Sequence, residues 1–312
     1  MDMTIFAGPA SASLAEAVVA QLGRRLGTCT VQRFPDSELH VELHDSVRGH
    51  DVYLLQATSP PVDTHLLELL FLADACRRAG AAQLTAVVPY FGYARQDRRG
   101  RGREAVGARL VAEVLGSSGL HRLVAVDLHT VALEGFFPIP LEHLSAVPLL
   151  VEAVRPWVAD NTVIVTPDLG AVKLAERYAT ALQRPLAIVH KTRLSGEDVR
   201  VERIVGDVQG RAPIIVDDMI STGGTIVAAS QALLAAGCAP PLTVVATHGL
   251  FVGPAIARLR SVPLQRVLVT DSVTAPPEST LPLHVTSLAA LLAEAIGRLH
   301  EHRSLRDLLV HE

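Results

Sequence analysis

Cysteine is scarce in this chain of 312 residues, with Cys29, Cys76 and Cys238 its only three. They are odd in number and far apart, without the close pairs that a zinc site or a dithiol redox motif requires. That excludes a disulfide-stapled scaffold and points to a reducing compartment, the cytoplasm. Lysine is scarcer still: Lys173 and Lys191 stand alone among basic residues that are otherwise arginine. Lysine offers a compact ammonium where arginine offers a planar fork, so the two lysines invite a reason. An excess of positive charge is also missing. The net charge of -4 argues against a nucleic-acid partner, whereas a small anionic substrate needs only local positive charge. The amino-terminal residues carry no basic segment, and Glu16 interrupts their apolar stretch, so no signal peptide is expected. The long uncharged stretch 223–247 is split by Pro240-Pro241 and reads as a buried helix and strand rather than a membrane span.

What the chain does have is apolar content, 49%, and a regular alternation. Residues 4–7, 29–34, 39–43, 52–56, 84–88 and 123–126 read as strands, and 11–22, 66–78 and 104–115 have helical apolar spacing. The pattern then restarts. Residues 163–165, 186–189, 214–216, 244–247 and 267–270 read as strands, and 147–154, 172–182, 226–236 and 288–299 as helices. Such alternation predicts an α/β protein whose parallel sheets are covered by helices on both faces. Two runs predict two similar doubly wound domains, 1–146 and 147–312, with no Ser/Gly-rich linker at the join.

The most informative stretch runs from Ile214 to Thr225. Ile214, Ile215 and Val216 read as a buried parallel strand. Asp217 and Asp218 follow at its carboxyl end, where open α/β sheets bind their ligands. Ser221, Thr222, Gly223, Gly224 and Thr225 then lead into a helix. Backbone N–H groups at a helix start form an anion cradle, and the glycines let that backbone approach a phosphate closely. The two carboxylates would repel a phosphate and suit vicinal hydroxyls or a metal instead. Together these groups complement a ribose 5-phosphate. A lone Gly-Gly turn would read as an ordinary strand–turn–helix. Here the acidic pair, the hydroxyls and the glycines share one window of twelve residues.

This window resembles the phosphoribosyl pyrophosphate (PRPP) loop of type I phosphoribosyltransferases and of PRPP synthetases, and does not separate the two. A second stretch does. Pro89-Tyr90-Phe91-Gly92-Tyr93-Ala94-Arg95-Gln96-Asp97-Arg98-Arg99 offers aromatic rings to flank a purine and Arg95 to meet a polyphosphate. It resembles the ATP-binding loop signature of PRPP synthetases, which phosphoribosyltransferases lack. Arg33-Phe34-Pro35-Asp36-Ser37-Glu38, Val126-Asp127-Leu128-His129, Thr166-Pro167-Asp168-Leu169-Gly170 and Ala246-Thr247-His248-Gly249 extend the likeness along the chain.

The resemblance implies residue roles. Phe34, Asp36, Glu38, Arg95 and Gln96 would bind ATP, with the 34–38 segment reaching a neighbouring subunit's adenine pocket. His129 and Asp168 would serve a Mg²⁺–phosphate site. Lys191 and Arg193 would stabilise the transferring group, and Asp217, Asp218, Ser221, Thr222, Gly223, Gly224 and Thr225 would hold ribose 5-phosphate. Departures occur: Ser221 stands where many members carry Asp, and Gly170-Ala171 replaces a Gly-Gly. The implied reaction is ATP plus ribose 5-phosphate giving PRPP and AMP, in a cytoplasmic homo-oligomer, hexamer or dimer, with no nucleic-acid or membrane partner. The alternatives are a type I phosphoribosyltransferase, which leaves the Arg95-Gln96 signature unexplained, and a non-catalytic regulatory homologue, against which the retained site residues speak.

Overall fold

The computed structural model describes residues 1–193, 199–276 and 280–310, and at 191–193 and 199–202 the backbone alone. The chain forms two compact units. The first opens with β1 (Met3–Ala7), α1 (Ala12–Gln21), β2 (Cys29–Arg33), β3 (Leu39–Leu43) and β4 (Asp51–Leu55). It continues with α2 (Val62–Arg78), β5 (Gln83–Val88), α3 (Gly107–Ser117), β6 (Arg122–Val126) and β7 (Leu141–Leu144). Five of these strands make one parallel sheet in the order β1-β4-β5-β6-β7. Every residue of β4 is buried, which is why it reads as an unbroken apolar run rather than an alternating one. Leu54, Leu69, Leu72, Leu84, Ala108, Leu115 and Leu123 share the core beneath α2 and α3. The 29–33 and 39–43 strands, expected from their β-branched content, pair only with each other, as an antiparallel hairpin outside the sheet.

The second unit holds α4 (Val147–Val154), β8 (Thr162–Thr166), α5 (Val172–Leu182), β9 (Leu186–Arg193), β10 (Val199–Val205), β11 (Ala212–Ile220) and α6 (Gly224–Ala235). It ends with β12 (Leu242–Gly249), α7 (Ala255–Arg260), β13 (Leu264–Thr270) and β14 (Leu283–Thr286). Its seven strands run β10-β9-β8-β11-β12-β13-β14. All pairings are parallel except β10 against β9, a strand that the apolar pattern left unassigned. From β8 the chain winds one way to β9, and from β11 the other way to β12. The reversal falls between the adjacent strands β8 and β11. Such a switch point opens a crevice at the strands' carboxyl ends, and this places the acidic stretch and Asp168 where a ligand site forms.

The division of the chain differs from the simple halves expected. The segment from Ser287 onward returns to the first unit, carried by α8 (Ala289–His300). There α8 packs against α1, and buries Leu292, Ala295 and Ile296 completely. His300 Nδ1 and the Tyr53 hydroxyl both donate to Asp51 Oδ2, at 2.8 and 2.9 Å. Apolar period identifies α8 as amphipathic but says nothing about which core receives it.

Candidate active site

In the second unit β11 extends to Ile220, four residues past the Val216 end expected, so Asp217 and Asp218 lie within the strand, beyond its pairing with β8. Strand register sets Asp217 opposite Ala246 of β12. The Asp218 N–H donates to Asp217 Oδ1 at 3.0 Å. Burial pushes the Asp217 carboxyl well above its usual range, and the neighbouring carboxylates of Asp218 and Asp168 push it the same way.

Ser221 and Thr222 follow, and Gly223 turns the chain into α6 with φ +76°. That left-handed value suits glycine. No side chain caps the start of α6, and a helix start of this kind is where an anion cradle forms. At Gly224 a Cβ would meet nothing nearer than 3.8 Å. The space above the helix start is open. Arg258, on α7, lies beside this loop with Nη1 3.5 Å from the Thr222 carbonyl. Nothing in its short basic segment marks it as a loop neighbour in the sequence.

Asp168 caps the 3-10 turn Leu169–Ala171, its Oδ1 accepting the Gly170 N–H at 2.9 Å. Lys191 and Arg193 lie at the end of β9, their backbones in register with Val201 and Val199 of β10. Their side chains lie outside the described residues. Among the described residues, no three His, Cys, Asp or Glu side chains converge as a metal cage. The mutually repelling carboxylates around Asp217 nonetheless fit a divalent cation that takes one or two carboxylates and completes its shell with phosphate and water, the habit of Mg²⁺.

The first unit carries the other candidates. Phe34, Asp36 and Glu38 form the tip of the β2–β3 hairpin. Its turn is closed by the Phe34 N–H on Glu38 carbonyl and the Ser37 N–H on Phe34 carbonyl, both 2.9 Å. Phe34 is exposed and leans on His40, ring centroids 5.2 Å apart. Arg95 and Gln96 stand exposed beyond β5. Gln96 is braced against α3: a Cβ on Gly107 would lie 2.5 Å from its Oε1.

One sequence expectation is corrected here. Tyr90 and Phe91 are 5% and 2% exposed, and Phe91 packs edge-on against Phe137 at 5.4 Å. These two rings anchor the loop in the core and cannot flank a purine; Tyr93, half-buried, is the ring left near the surface.

His129 is exposed just past β6. Three hydrogen bonds from Arg98 hold the Asp97 carboxyl below its usual range, and the nearby His129 acts in the same direction. Asp97, in the arginine-rich loop, is therefore near enough to His129 to feel its charge. A cavity of about 470 Å³, lined by Arg122, Glu142, Arg303 and Arg306 among others, opens near the amino-terminal end of β6 and holds none of these candidates.

Residues 3–119 match the N-terminal domain of ribose phosphate pyrophosphokinase, and residues 199–310 match the phosphoribosyl synthetase-associated domain. A ribose-phosphate pyrophosphokinase of Gloeobacter violaceus is 44% identical over 308 residues, 98% of this chain and 92% of that one. The chain belongs to the ribose-phosphate pyrophosphokinase family. A second member, from Caldanaerobacter subterraneus, is 42% identical over 98% of both chains. The crystal structure of phosphoribosylpyrophosphate synthetase from Mycobacterium smegmatis superposes with a TM-score of 0.91 at 39% identity, over 97% of this chain and 100% of that one. Membership of the pyrophosphokinase family accounts for two stretches that no single-domain reading joins, the arginine-rich loop after β5 and the acidic strand before α6. No helix among the described residues is long and apolar enough to cross a membrane.

Proposed function

We propose that this chain transfers the β,γ-diphosphoryl group of ATP to O1 of ribose 5-phosphate, giving PRPP and AMP. The observation that carries the reading is the pairing of two sets of groups in one chain. One is a phosphate-and-diol seat at the β8/β11 switch point. The other is an arginine-rich loop whose Asp97 lies near His129. A phosphoribosyltransferase needs the first and has no use for the second.

The ribose O1 hydroxyl attacks the β-phosphorus, the bond from that phosphorus to the α,β-bridging oxygen breaks, AMP leaves with that oxygen, and the hydroxyl proton is released. Such chemistry is mainly positioning and charge neutralisation. Asp217 and Asp218 engage the ribose hydroxyls. The Ser221 to Thr225 backbone and hydroxyls hold the 5-phosphate. Arg95 and Gln96 bind ATP, and Phe34, Asp36 and Glu38, at the exposed hairpin tip, contribute to the adenine pocket of a second copy. Lys191 and Arg193 neutralise the moving diphosphoryl group. His129 and Asp168 are the residues assigned to a divalent cation, Mg²⁺, which when bound would add further charge neutralisation on the phosphates.

Incubation with ATP, ribose 5-phosphate and Mg²⁺, with nucleotides resolved chromatographically, tests the reading. Equal amounts of PRPP and AMP are expected. ADP as the nucleotide product would overturn it, because ADP marks transfer of a single phosphoryl group.

A further inference from the structure

Two features of the first unit converge on the turn that follows β6. Asp127 adopts φ +37°, a left-handed value uncommon for a residue with a Cβ. Strain of this kind persists where the surroundings over-determine it. Here β7 supplies the restraint. The Asp127 N–H donates to the Leu144 carbonyl at 3.0 Å, and the Leu128 N–H donates to His143 Nε2 at 2.8 Å. His143 is 4% exposed, and its Nδ1 lies 2.9 Å from Glu134 Oε1.

These partners fix the ring's hydrogen atoms. A backbone N–H can only donate, so Nε2 carries the lone pair. A carboxylate can only accept, so Nδ1 carries the hydrogen. Nε2 is thus committed to the Leu128 main chain and Nδ1 to the Glu134 carboxylate, and neither ring nitrogen is left for chemistry. The residue after Leu128 is His129. A buried imidazole needs a partner at each nitrogen, and here one of those partners is the backbone N–H immediately before the exposed His129.

We propose that His143, oriented by Glu134, is a positioning residue that holds the Asp127–Leu128–His129 turn and thereby aims His129 toward the nucleotide and its divalent cation. The inference rests on the role given to His129 above. Groups that orient a metal-side histidine act through the histidine and not on substrate. The sequence gives no sign of this role, because Glu134 and His143 lie on different elements and only the fold joins them.

The test uses the full chain and the variants His143→Leu, His143→Gln, Glu134→Ala and His129→Ala. Two readouts are taken besides turnover: calorimetric affinity for ATP in excess Mg²⁺ and for ribose 5-phosphate, and amide hydrogen exchange across residues 127–130. His143→Leu should speed exchange at the turn and weaken ATP binding about tenfold or more, with ribose 5-phosphate affinity within about twofold of wild type. His143→Gln should recover most of the loss, since a carboxamide both accepts and donates. If His143→Leu does not fold, Glu134→Ala decides, because the Glu134 side chain is 43% exposed and its loss leaves the core filled. It should weaken ATP binding in the same direction.

A loosened turn with unchanged ATP affinity would overturn the proposal, as would equal losses for ATP and ribose 5-phosphate. If His129→Ala weakens ATP binding and the dyad variants do not, this inference alone fails. If His129→Ala itself leaves ATP affinity intact, the role of His129 fails and takes this inference with it.

Discussion

Asp217 is a half-buried carboxyl beside two others, and that arrangement works against folding. Its folded pKa lies well above the ordinary 3.8. Near and below that ordinary value, folded and unfolded chains both keep the proton and nothing is lost. As pH rises further, the unfolded chain releases its proton first, so the folded state loses stability across the window up to the raised folded value. Asp217→Asn removes this penalty. Thermal unfolding should show the variant more stable than wild type at pH 7, by about 2–4 °C, with the gap closing as pH approaches 4, while ribose 5-phosphate binding is lost. A gap that does not change with pH would mean that carboxylate repulsion is not its cause.

Lys191 is tested by turnover. Lys191→Ala should lower kcat by a factor of about 100 or more, a transition-state charge contact being worth on the order of 3 kcal/mol, and leave the ribose 5-phosphate KM within about threefold. Initial-rate kinetics would read both. At this scale the sequence is a partial guide. It can propose Asp217, Asp218 and Gly223 together because they are neighbours in the chain. It misleads at Tyr90 and Phe91, whose aromatic character suits a purine and a core equally, and only burial decides. It is silent on Arg258 and His143, which reach the site from separate elements.

The junction of β11 and α6 carries the proposed ribose-phosphate seat, and its two glycines do different work. Gly223 is glycine for the chain's own sake: at φ +76° an added Cβ is strained and would also lie 3.3 Å from Leu259. Gly223→Ala should therefore destabilise the protein by roughly 1–2 kcal/mol, read as a lower unfolding midpoint in denaturant. Gly224 opens α6 with space around it. Gly224→Ala should leave stability unchanged or slightly higher and yet weaken ribose 5-phosphate binding tenfold or more, on the order of 1.4 kcal/mol, because the methyl group stands where the phosphate approaches. Calorimetry on both variants separates the two roles.

Element type was legible wherever one periodicity dominated, as in β5, β6 and α5. What the period cannot carry is partnership. Residues 29–34 and 39–43 read as strands and form β2 and β3, but they leave the sheet. β10 completes the other sheet running against the rest, although its alternating polar residues give no apolar run to notice.

For the molecule as a whole, the first unit is assembled from both ends of the described chain. Ile296 is wholly buried in α8. Ile296→Ala should cost about 2–5 kcal/mol, and hydrogen exchange should rise in α1 and α8 while β11 and β12 keep their protection. Exchange rising uniformly would mean that the two units do not unfold separately. Chain threading also sets an order in time. Domains generally fold as units while the ribosome is still adding residues. Here the unit whose synthesis begins first is the one completed last, since it lacks its closing helix until residues past His300 have left the exit tunnel. Throughout translation of the second unit, the apolar side of α1 waits uncovered, with Leu14, Val18 and Val19 among the residues that are buried in the finished protein. A nascent chain arrested anywhere before α8 is therefore a natural substrate for chaperones that bind apolar helices, and premature termination there would leave an incomplete unit 1 rather than a shortened enzyme.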